Sequence, residues 1–305
     1  MPPTVRVESL SKEFPLPSGE RLLAVADVSF QLNPGEVLGL IGESGSGKST
    51  VGRCLAGLLN VSSGEINWGM KNPKVGMVFQ EPRASFHGGF QLWEAIADPL
   101  FAAGMRRSEE MSRLVAEAAN LVGLQGEVLL RNCIEVSDEE LQRVSVARAL
   151  VQRPDILILD EPTTSLDHDA RAGVLDVIKD LRSRGEIAIL LISHDLLAVK
   201  SVTDNVAIMY LGAIAERGPT HRLFSEPVHP YTRALISSAL DLDPNAPLSK
   251  VNLEGEIPDP INRPSGCPLA PRCPWEIDRC SVTEPLEEAV AADHSVACIR
   301  WKELV

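Results

Sequence analysis

The chain has 305 residues, of which 44% are hydrophobic, and its 42 acidic and 29 basic side chains leave a net charge of −13. These values are typical of a folded globular protein and argue against disorder, collagen-like repeats and coiled coils. Because this excess of negative charge repels polyphosphate backbones, we expect no nucleic-acid partner. The longest apolar runs, such as residues 187–192, fall far short of the roughly 18 residues that a membrane-spanning helix requires.

Two alternating segments near the start, residues 5–14 and 24–32, flank a turn with the sequence PLPSG and predict an antiparallel pair of strands. Nearly continuous apolar runs rich in Val, Ile and Leu follow at residues 37–41, 75–79, 156–159, 188–192 and 206–210. Runs of this kind are typical of a parallel sheet with helices on both faces, so we predict an α/β fold. Residues 91–152 show helical periodicity without a strand pattern, which predicts a helical insertion.

Residues 42–50, with the sequence GESGSGKST, fit the phosphate-binding pattern G-x-x-x-x-G-K-[ST] between a predicted strand and a predicted helix. Glycines allow backbone N–H groups to turn toward phosphate oxygens, and a helix N-terminus favours negative charge. Lys48 would reach the β- and γ-phosphates, and the Ser49 hydroxyl would bind Mg²⁺. The predicted phosphate-binding residues are Gly42, Ser44, Gly45, Ser46, Gly47, Lys48, Ser49 and Thr50.

Polar groups follow two of the other apolar runs. Asp160 and Glu161 end the run at residues 156–159, where the first carboxylate suits Mg²⁺ and the second could polarise an attacking water. His194 follows the run at residues 188–192. Ligands of open α/β sheets bind at the carboxyl ends of the strands, so these side chains are candidate catalytic residues.

In this order the elements resemble the nucleotide-binding subunit of an ATP-binding cassette (ABC) transporter, over about residues 5–240. The resemblance implies an ATPase that uses ATP and Mg²⁺, built from a P-loop core, an antiparallel β-subdomain and a helical subdomain at about residues 91–152. It implies that Phe14 stacks on adenine. It also implies that Gln80, within VFQEP at residues 78–82, senses Mg²⁺ and the attacking water beside the groove for a membrane subunit.

The same resemblance assigns roles to residues near the carboxyl ends of the later strands. Asp160 matches the Walker B aspartate that binds Mg²⁺, and Glu161 matches the catalytic glutamate. Residues 165–167 match the D-loop. His194 matches the switch histidine that contacts the γ-phosphate.

The signature motif departs from the family. Where Leu-Ser-Gly-Gly-Gln is usual, residues 136–140 read VSDEE, so acids replace both glycines and the glutamine. As structure, Ser137 with Glu140 predicts a capping box at the start of a helix. Against the γ-phosphate that this motif contacts across an ABC dimer, the acids should be unfavourable, since two charges about 4 Å apart repel by about 4 kcal/mol at an effective dielectric of 20. We therefore expect a heterodimer with a homologous ATPase whose signature is intact.

After about residue 240 the chain is rich in proline, which predicts an irregular appendage over residues 241–305 beside a cassette at residues 1–240. PVHPYTRAL at residues 227–235, together with this tail, resembles the oligopeptide and dipeptide branch of ABC importers, some of which bind an iron–sulfur cluster. The spacing C-x5-C-x6-C-x17-C suits a [4Fe-4S] cluster or a Zn²⁺ site, and the alternatives are free thiols or disulfides. The candidate ligands are Cys267, Cys273, Cys280 and Cys298.

The resemblance implies that ATP hydrolysis drives di- or oligopeptide import from the cytoplasmic face of the membrane. The implied partners are the second ATPase, two transmembrane permease subunits and an extracytoplasmic solute-binding protein. An importer of nickel or another small solute remains an alternative within the same branch. A soluble non-transport ABC ATPase and a non-hydrolysing regulatory module are alternatives from other classes.

Overall fold

A computed structural model describes residues 2–164, 166–240 and 251–304. Its strands are β1 Val5–Pro15, β2 Arg21–Leu32, β3 Val37–Ile41, β4 Ser63–Trp68, β5 Val75–Val78, β6 Ile156–Asp160, β7 Ala188–Ser193, β8 Asn205–Tyr210, β9 Ala213–Pro219, β10 Glu288–Ala291 and β11 His294–Val296. Its helices are α1 Lys48–Leu55, α2 Leu92–Ala102, α3 Glu109–Leu121, α4 Asp138–Leu150, α5 His168–Arg184, α6 Leu196–Val202, α7 Thr220–Ser225, α8 Pro230–Leu240, α9 Asp278–Val282 and α10 Trp301–Leu304. No helix within these ranges is long and apolar enough to cross a membrane.

The chain divides into two compact units, and the first comprises residues 1–5, 31–37 and 68–192. In this unit β6 lies between β5 and β7 and is parallel to both. Every residue of β6 and β7 is buried. The continuous apolar runs arise because such strands are covered on both faces, so the predicted parallel strands are confirmed here.

The segment between β5 and β6 is helical, as predicted. It contains α2, α3 and α4, and its described backbone contains only one isolated β-bridge, between Gln91 and Asn132. Ser108 caps α3 by accepting a hydrogen bond from the Met111 backbone N–H, and Gln91 and Glu94 form a capping box on α2. These local caps explain why the helices begin where they do.

The second unit comprises residues 6–30, 38–67 and 193–305. It contains most of a small sheet in the order β2-β1-β4, in which the short turn between β1 and β2 is closed by a hydrogen bond from Leu16 N to Glu20 O at 2.9 Å. Its other strands lie in the order β10-β11-β9-β8-β3. β3 and β8 are parallel, whereas β9, β10 and β11 each pair antiparallel with their neighbours.

The tail is more regular than we predicted. The prolines that argued for irregular structure stop before β10, and β10 and β11 extend the sheet beyond β9. A buried carboxylate fixes this addition, because Glu216 on β9 accepts hydrogen bonds from the backbone N–H groups of Val228 and His229 and lies 2.7 Å from His294 Nε2. Residues 241–250, at the predicted domain boundary, lie outside the described residues, so that boundary remains a prediction.

Candidate nucleotide-binding site

The loop of residues 42–47 joins the fully buried strand β3 to helix α1. Gly45 and Gly47 have φ angles of +79° and +99°, which side chains rarely tolerate. A Cβ on Gly47 would lie 2.3 Å from the Ala24 carbonyl oxygen, and one on Gly42 would lie 2.2 Å from that of Met209. The pattern glycines are therefore required by the loop itself, independently of any ligand.

Lys48 folds back over the loop that precedes it. Its ammonium nitrogen lies 2.7 Å from the Gly42 carbonyl oxygen, 2.9 Å from that of Glu43 and 3.3 Å from Ser46 Oγ, and the residue is 6% exposed. Ser44 is exposed, while Ser49 and Thr50 are half-buried at the start of α1. The predicted phosphate-binding residues thus form one local structure with a buried cation at its centre.

Asp160 ends β6, and Glu161 follows it with a φ of +53°. This left-handed conformation is unusual for glutamate and costs about 1 to 3 kcal/mol, and strain of this kind clusters at functional sites. The Glu161 backbone N–H donates to the Ile192 carbonyl at 2.9 Å, and Thr164 Oγ1 donates to Glu161 Oε2 at 2.8 Å. Both acids are nearly inaccessible, at 2% and 8% exposed. Glu161 is therefore held in one orientation by its backbone and by its carboxylate.

Two further predicted residues lie where strands end. Gln80 is exposed, two residues after β5. His194 is exposed between β7 and α6, and Asp195 beside it caps α6 by accepting from the Leu197 and Ala198 N–H groups. Gln80, Asp160 and Glu161 belong to the first unit, whereas the P-loop and His194 belong to the second.

The remaining positions implied by the resemblance are only partly described. Phe14 is half-buried near the end of β1, and the Lys12 ammonium lies 5.1 Å from the centre of its ring. In the D-loop, Ser165 lies outside the described residues, Leu166 is buried, and Asp167 caps α5 through Ala170 N.

The acids of the signature segment are paired with arginines of the same unit. Asp138 lies 2.6 Å from Arg83, Glu139 lies 2.7 Å from Arg143, and Glu140 lies 3.1 Å from Arg131. The predicted capping box is present, because Ser137 Oγ accepts from Glu140 N while Glu140 Oε2 accepts from Ser137 N. The segment is thus a well-capped helix start whose charges are largely balanced.

The four cysteines of the tail converge. Cys267, Cys273, Cys280 and Cys298 line one cavity of about 20 Å³, and all six cysteines of the chain are free thiols. As they stand, no three His, Cys, Asp or Glu side chains within the described ranges form a set that could hold a metal ion. The predicted ligands therefore share a cavity without forming a closed coordination site.

The environment of these thiols is unusual for free cysteine. Burial raises the pKa of Cys267 to about 12 and that of Cys298 to about 11, and it also raises the pKa of Cys273. In each case a backbone N–H two residues further along hydrogen-bonds to the sulfur and opposes the shift. These N–H groups belong to Leu269, Trp275 and Arg300.

Comparison with known proteins identifies the family. Residues 25–164 match the family model for ABC transporters, and residues 215–280 match that for the C-terminal region of oligopeptide/dipeptide transporters. A Brucella abortus protein named as a peptide import ATP-binding protein is 41% identical over 96% of this chain and 93% of its own length. The chain belongs to the ABC transporter ATP-binding family. A Sinorhizobium fredii protein named as a peptide ABC transporter ATP-binding protein is 37% identical, over 96% of this chain and 89% of its own.

Solved ABC cassettes share this fold. CbiO1 from Clostridium perfringens superposes with a TM-score of 0.66 at 24% identity, covering 80% of this chain and 96% of its own. An ATP-binding cassette of an ABC transporter in its ADP conformation gives 0.65 at 23% identity, covering 74% and 96%. The predicted α/β ABC cassette fold is therefore confirmed. The family match and the Brucella relative show that this chain is an ABC ATPase.

Some residues that shape this ABC ATPase were not identified from the sequence. The pairing of Glu139 with Arg143 could have been expected, since the two are four residues apart on one helix. Arg83 precedes Asp138 by 55 positions and Arg131 precedes Glu140 by nine, and because both arginines lie outside α4 their pairing carries no such signal. Arg83 lies just after Gln80 and also donates to the Val136 carbonyl at 3.2 Å, so it joins the Q-loop segment to the signature segment.

Proposed function

We propose that this ABC ATPase hydrolyses ATP to drive the import of di- or oligopeptides. The observation that carries this proposal is that a P-loop with the geometry described above is followed by the C-terminal region of oligopeptide/dipeptide transporters. The names of the Brucella and Sinorhizobium relatives support the same cargo class.

Lys48 is proposed to bind the β- and γ-phosphates, with the N–H groups of the glycine-rich loop around them. Ser49, Asp160 and Gln80 would each offer an oxygen of the kind that Mg²⁺ prefers. When bound, Mg²⁺ would neutralise charge on the β- and γ-phosphates. Phe14 is proposed to stack on adenine, and the Lys12 ammonium lies over one face of its ring.

Glu161 is proposed to orient and polarise the attacking water. Its strained backbone and its hydrogen bond from Thr164 support this role, because both fix the carboxylate before the reaction begins. His194 is proposed to contact the γ-phosphate, for which its exposed position directly after a buried strand is suitable. The nucleophile is water, so neither residue forms a covalent bond with the phosphoryl group.

The acidic signature supports a heterodimer. In a homodimer, each P-loop would face a segment in which acids replace both glycines, so close approach of its backbone to the γ-phosphate would be hindered by bulk and by charge. A homologous ATPase subunit with an intact signature would supply a competent partner for this chain's P-loop. Two transmembrane permease subunits and an extracytoplasmic solute-binding protein would complete the importer, with this chain at the cytoplasmic face of the membrane.

We also propose that the four tail cysteines bind a [4Fe-4S] cluster, with Zn²⁺ as the alternative. Four thiols lining one cavity are the donor set of both groups, and N–H bonds to the sulfurs, as found at three of them, are a usual means of tuning such clusters. The thiols would have to close around the group. When bound, it would cross-link residues 267–298, as a structural metal does in other small protein segments.

Uptake by cells that lack this chain tests the transport function. Import of a labelled dipeptide should be lost and should return with the wild-type chain but not with Lys48→Ala. Uptake of labelled nickel serves as the comparison. Loss of nickel uptake with peptide uptake intact would contradict the peptide proposal.

Analysis of the anaerobically purified chain tests the cysteine site. We expect about four irons per chain and broad absorption near 400 nm, which each single Cys→Ser change in the tail should remove. Cys54→Ser and Cys133→Ser are matched controls, because both are buried outside the tail cavity. One zinc per chain with no iron would reject the cluster in favour of the Zn²⁺ site. A tail that is ordered without iron or zinc would contradict both the cluster and the zinc site.

A further inference from the structure

The second residue of the P-loop is ion-paired with the cysteine-rich tail. Two guanidinium nitrogens of Arg272 lie 3.0 and 3.4 Å from the carboxylate oxygens of Glu43, across 229 positions of sequence. The Arg272 side chain is 10% exposed and that of Glu43 is 28% exposed. Because the pair is bidentate and mostly shielded from water, it is stronger and has a more specific geometry than the exposed ion pairs of the surface.

Two tyrosines complete this contact. The Glu43 backbone N–H donates to the hydroxyl of Tyr231 at 2.9 Å, and the ring centroids of Tyr231 and Tyr210 lie 4.7 Å apart. Arg272 also donates to the Tyr210 hydroxyl at 3.4 Å. Glu43 is therefore held through both its main chain and its carboxylate, and the Lys48 ammonium donates to its carbonyl oxygen at 2.9 Å.

The position of Arg272 depends on the fold of the tail. A 3₁₀ turn at Ala270–Arg272 separates Cys267 from Cys273, and its bonds run from Ala270 N to Cys267 O and from Cys273 N to Ala270 O. Arg272 is the immediate neighbour of Cys273, which lines the cavity shared by the four cysteines. Arg272 is therefore carried by the turn whose hydrogen bonds join the backbone of these two cysteines.

A carboxylate in a loop that receives polyphosphate is electrostatically unfavourable unless a cation compensates it. We propose that Arg272 is a positioning residue for ATP: it neutralises Glu43 and fixes the P-loop, so the tail sets nucleotide affinity. This inference rests on the proposed binding of the ATP phosphates by Lys48 and its loop. It assigns the tail a role at the nucleotide site in addition to the proposed binding of a metal centre.

A double-mutant cycle on the full-length chain tests this proposal, with MgATP affinity measured by displacement of a fluorescent ATP analogue. Arg272→Met should raise the Kd for ATP about tenfold, because it leaves the Glu43 carboxylate uncompensated; this corresponds to about 1.4 kcal/mol. In a Glu43→Gln background the same change should raise Kd less than about twofold. Melting temperatures should show that all variants are folded.

Arg263→Met is the matched control. Arg263 is equally a buried arginine of the tail, with its side chain 14% exposed, but its partner is Glu284 within the tail at 3.3 Å. Its loss should leave the Kd for ATP within about twofold of wild type. Lys48→Ala, which should weaken binding strongly, reports separately on the P-loop.

These measurements distinguish failure of the Arg272 proposal from failure of the proposed nucleotide site. An equal loss of affinity in the wild-type and Glu43→Gln backgrounds would overturn the proposal, because Arg272 would then act through the tail fold alone. An unchanged Kd for Arg272→Met, with Lys48→Ala still impaired, would overturn it while leaving the P-loop assignment intact. A Lys48→Ala variant with normal affinity would overturn the proposed nucleotide site and this inference with it.

Discussion

A guanidinium nitrogen of Arg143 lies 2.7 Å from the carboxylate of Glu139, one turn earlier on α4. Arg83 pairs with Asp138 in the same way at 2.6 Å, so both acids that replace the signature glycines have a cationic partner. The charge that we expected to oppose a facing phosphate is therefore reduced. Two obstacles to a facing phosphate remain. The first is the residual charge repulsion, and the second is the bulk of the Asp138 and Glu139 side chains at positions where the usual signature has glycine.

Restoring both glycines should raise hydrolysis by the isolated chain. For the double change Asp138→Gly and Glu139→Gly we expect turnover to rise about tenfold under dimer-forming conditions, a lowering of the barrier by about 1.4 kcal/mol. The free energy of unfolding should fall by about 1 to 3 kcal/mol, since favourable helix-dipole charges are lost and glycine is a poor helix former. Phosphate release and urea unfolding measure the two effects.

The matched control for this prediction is Glu109→Gly with Glu110→Gly. These acids occupy the first turn of α3, outside the signature, so they should reproduce the loss of stability without the gain in turnover. Unchanged turnover of the signature variant, with dimerisation verified, would contradict the prediction.

Glu161→Gln should stop hydrolysis while preserving ATP binding. The amide keeps the size of the carboxylate but cannot act as a base, and loss of a general base typically lowers turnover by about 10² to 10⁴. Thr164→Val should lower turnover less, about tenfold, because it removes only the hydrogen bond that orients the carboxylate. Single-turnover rates and ATP affinities of the assembled complex measure the effects of both changes. A normal rate for Glu161→Gln would show that ATP is hydrolysed at a site that does not use Glu161.

The stability of the chain should fall as pH drops below about 6.5. Burial lowers the pKa of His229 to about 4, against an ordinary value of 6.5. Between these values the unfolded chain binds a proton that the folded chain does not, so stability declines from pH 6.5 toward pH 4 and then levels off. The contribution is about 3 kcal/mol.

Urea unfolding of the wild type and of His229→Asn between pH 4 and 7.5 measures this contribution. In the wild type, His229 Nδ1 accepts a hydrogen bond from the Tyr231 backbone N–H at 3.1 Å. The side-chain oxygen of asparagine can accept the same hydrogen bond, but asparagine does not titrate. The variant should therefore lose most of the pH dependence. Parallel curves for the two proteins would show that another group is responsible.

The proposed metal binding by the tail should strengthen as pH rises. Burial raises the pKa of Cys267 to about 12 and that of Cys298 to about 11, so binding of a metal to these sulfurs at neutral pH must release their protons. The apparent Kd for Zn²⁺ of the metal-stripped chain should fall at least tenfold per pH unit between pH 6 and 8. Competition with a chelator measures it, Cys54→Ser is the control, and a flat profile would contradict thiolate binding.

The sequence predicted the parts of the fold that depend on local pattern. The strands beside the P-loop are continuous apolar runs, and the loop glycines are needed at Gly42 and Gly47 by contacts with the backbone. The capping box of Ser137 and Glu140 spans only four residues and was predicted correctly.

Other features depend on tertiary structure and carry no local pattern. Most of β4 is exposed, so it lacks an apolar run, and β11 is three residues long. Both were missed. The pairing of Glu43 with Arg272 could not be inferred because it joins residues 229 positions apart. The four cysteines were anticipated only as a set of ligands, and the cavity that they share was not.

The pairing of β11 with β9 also bears on how the chain avoids self-association. Without the tail, the backbone of β9 at Glu216 and Arg217 would present unpaired N–H and C=O groups at an open sheet edge. Such edges recruit strands from other molecules and lead to aggregation. A chain cut after residue 240 would carry this exposed edge together with a buried Glu216 that has lost His294. Insolubility of such a fragment would thus reflect an unprotected edge strand, even with every residue of the P-loop in place.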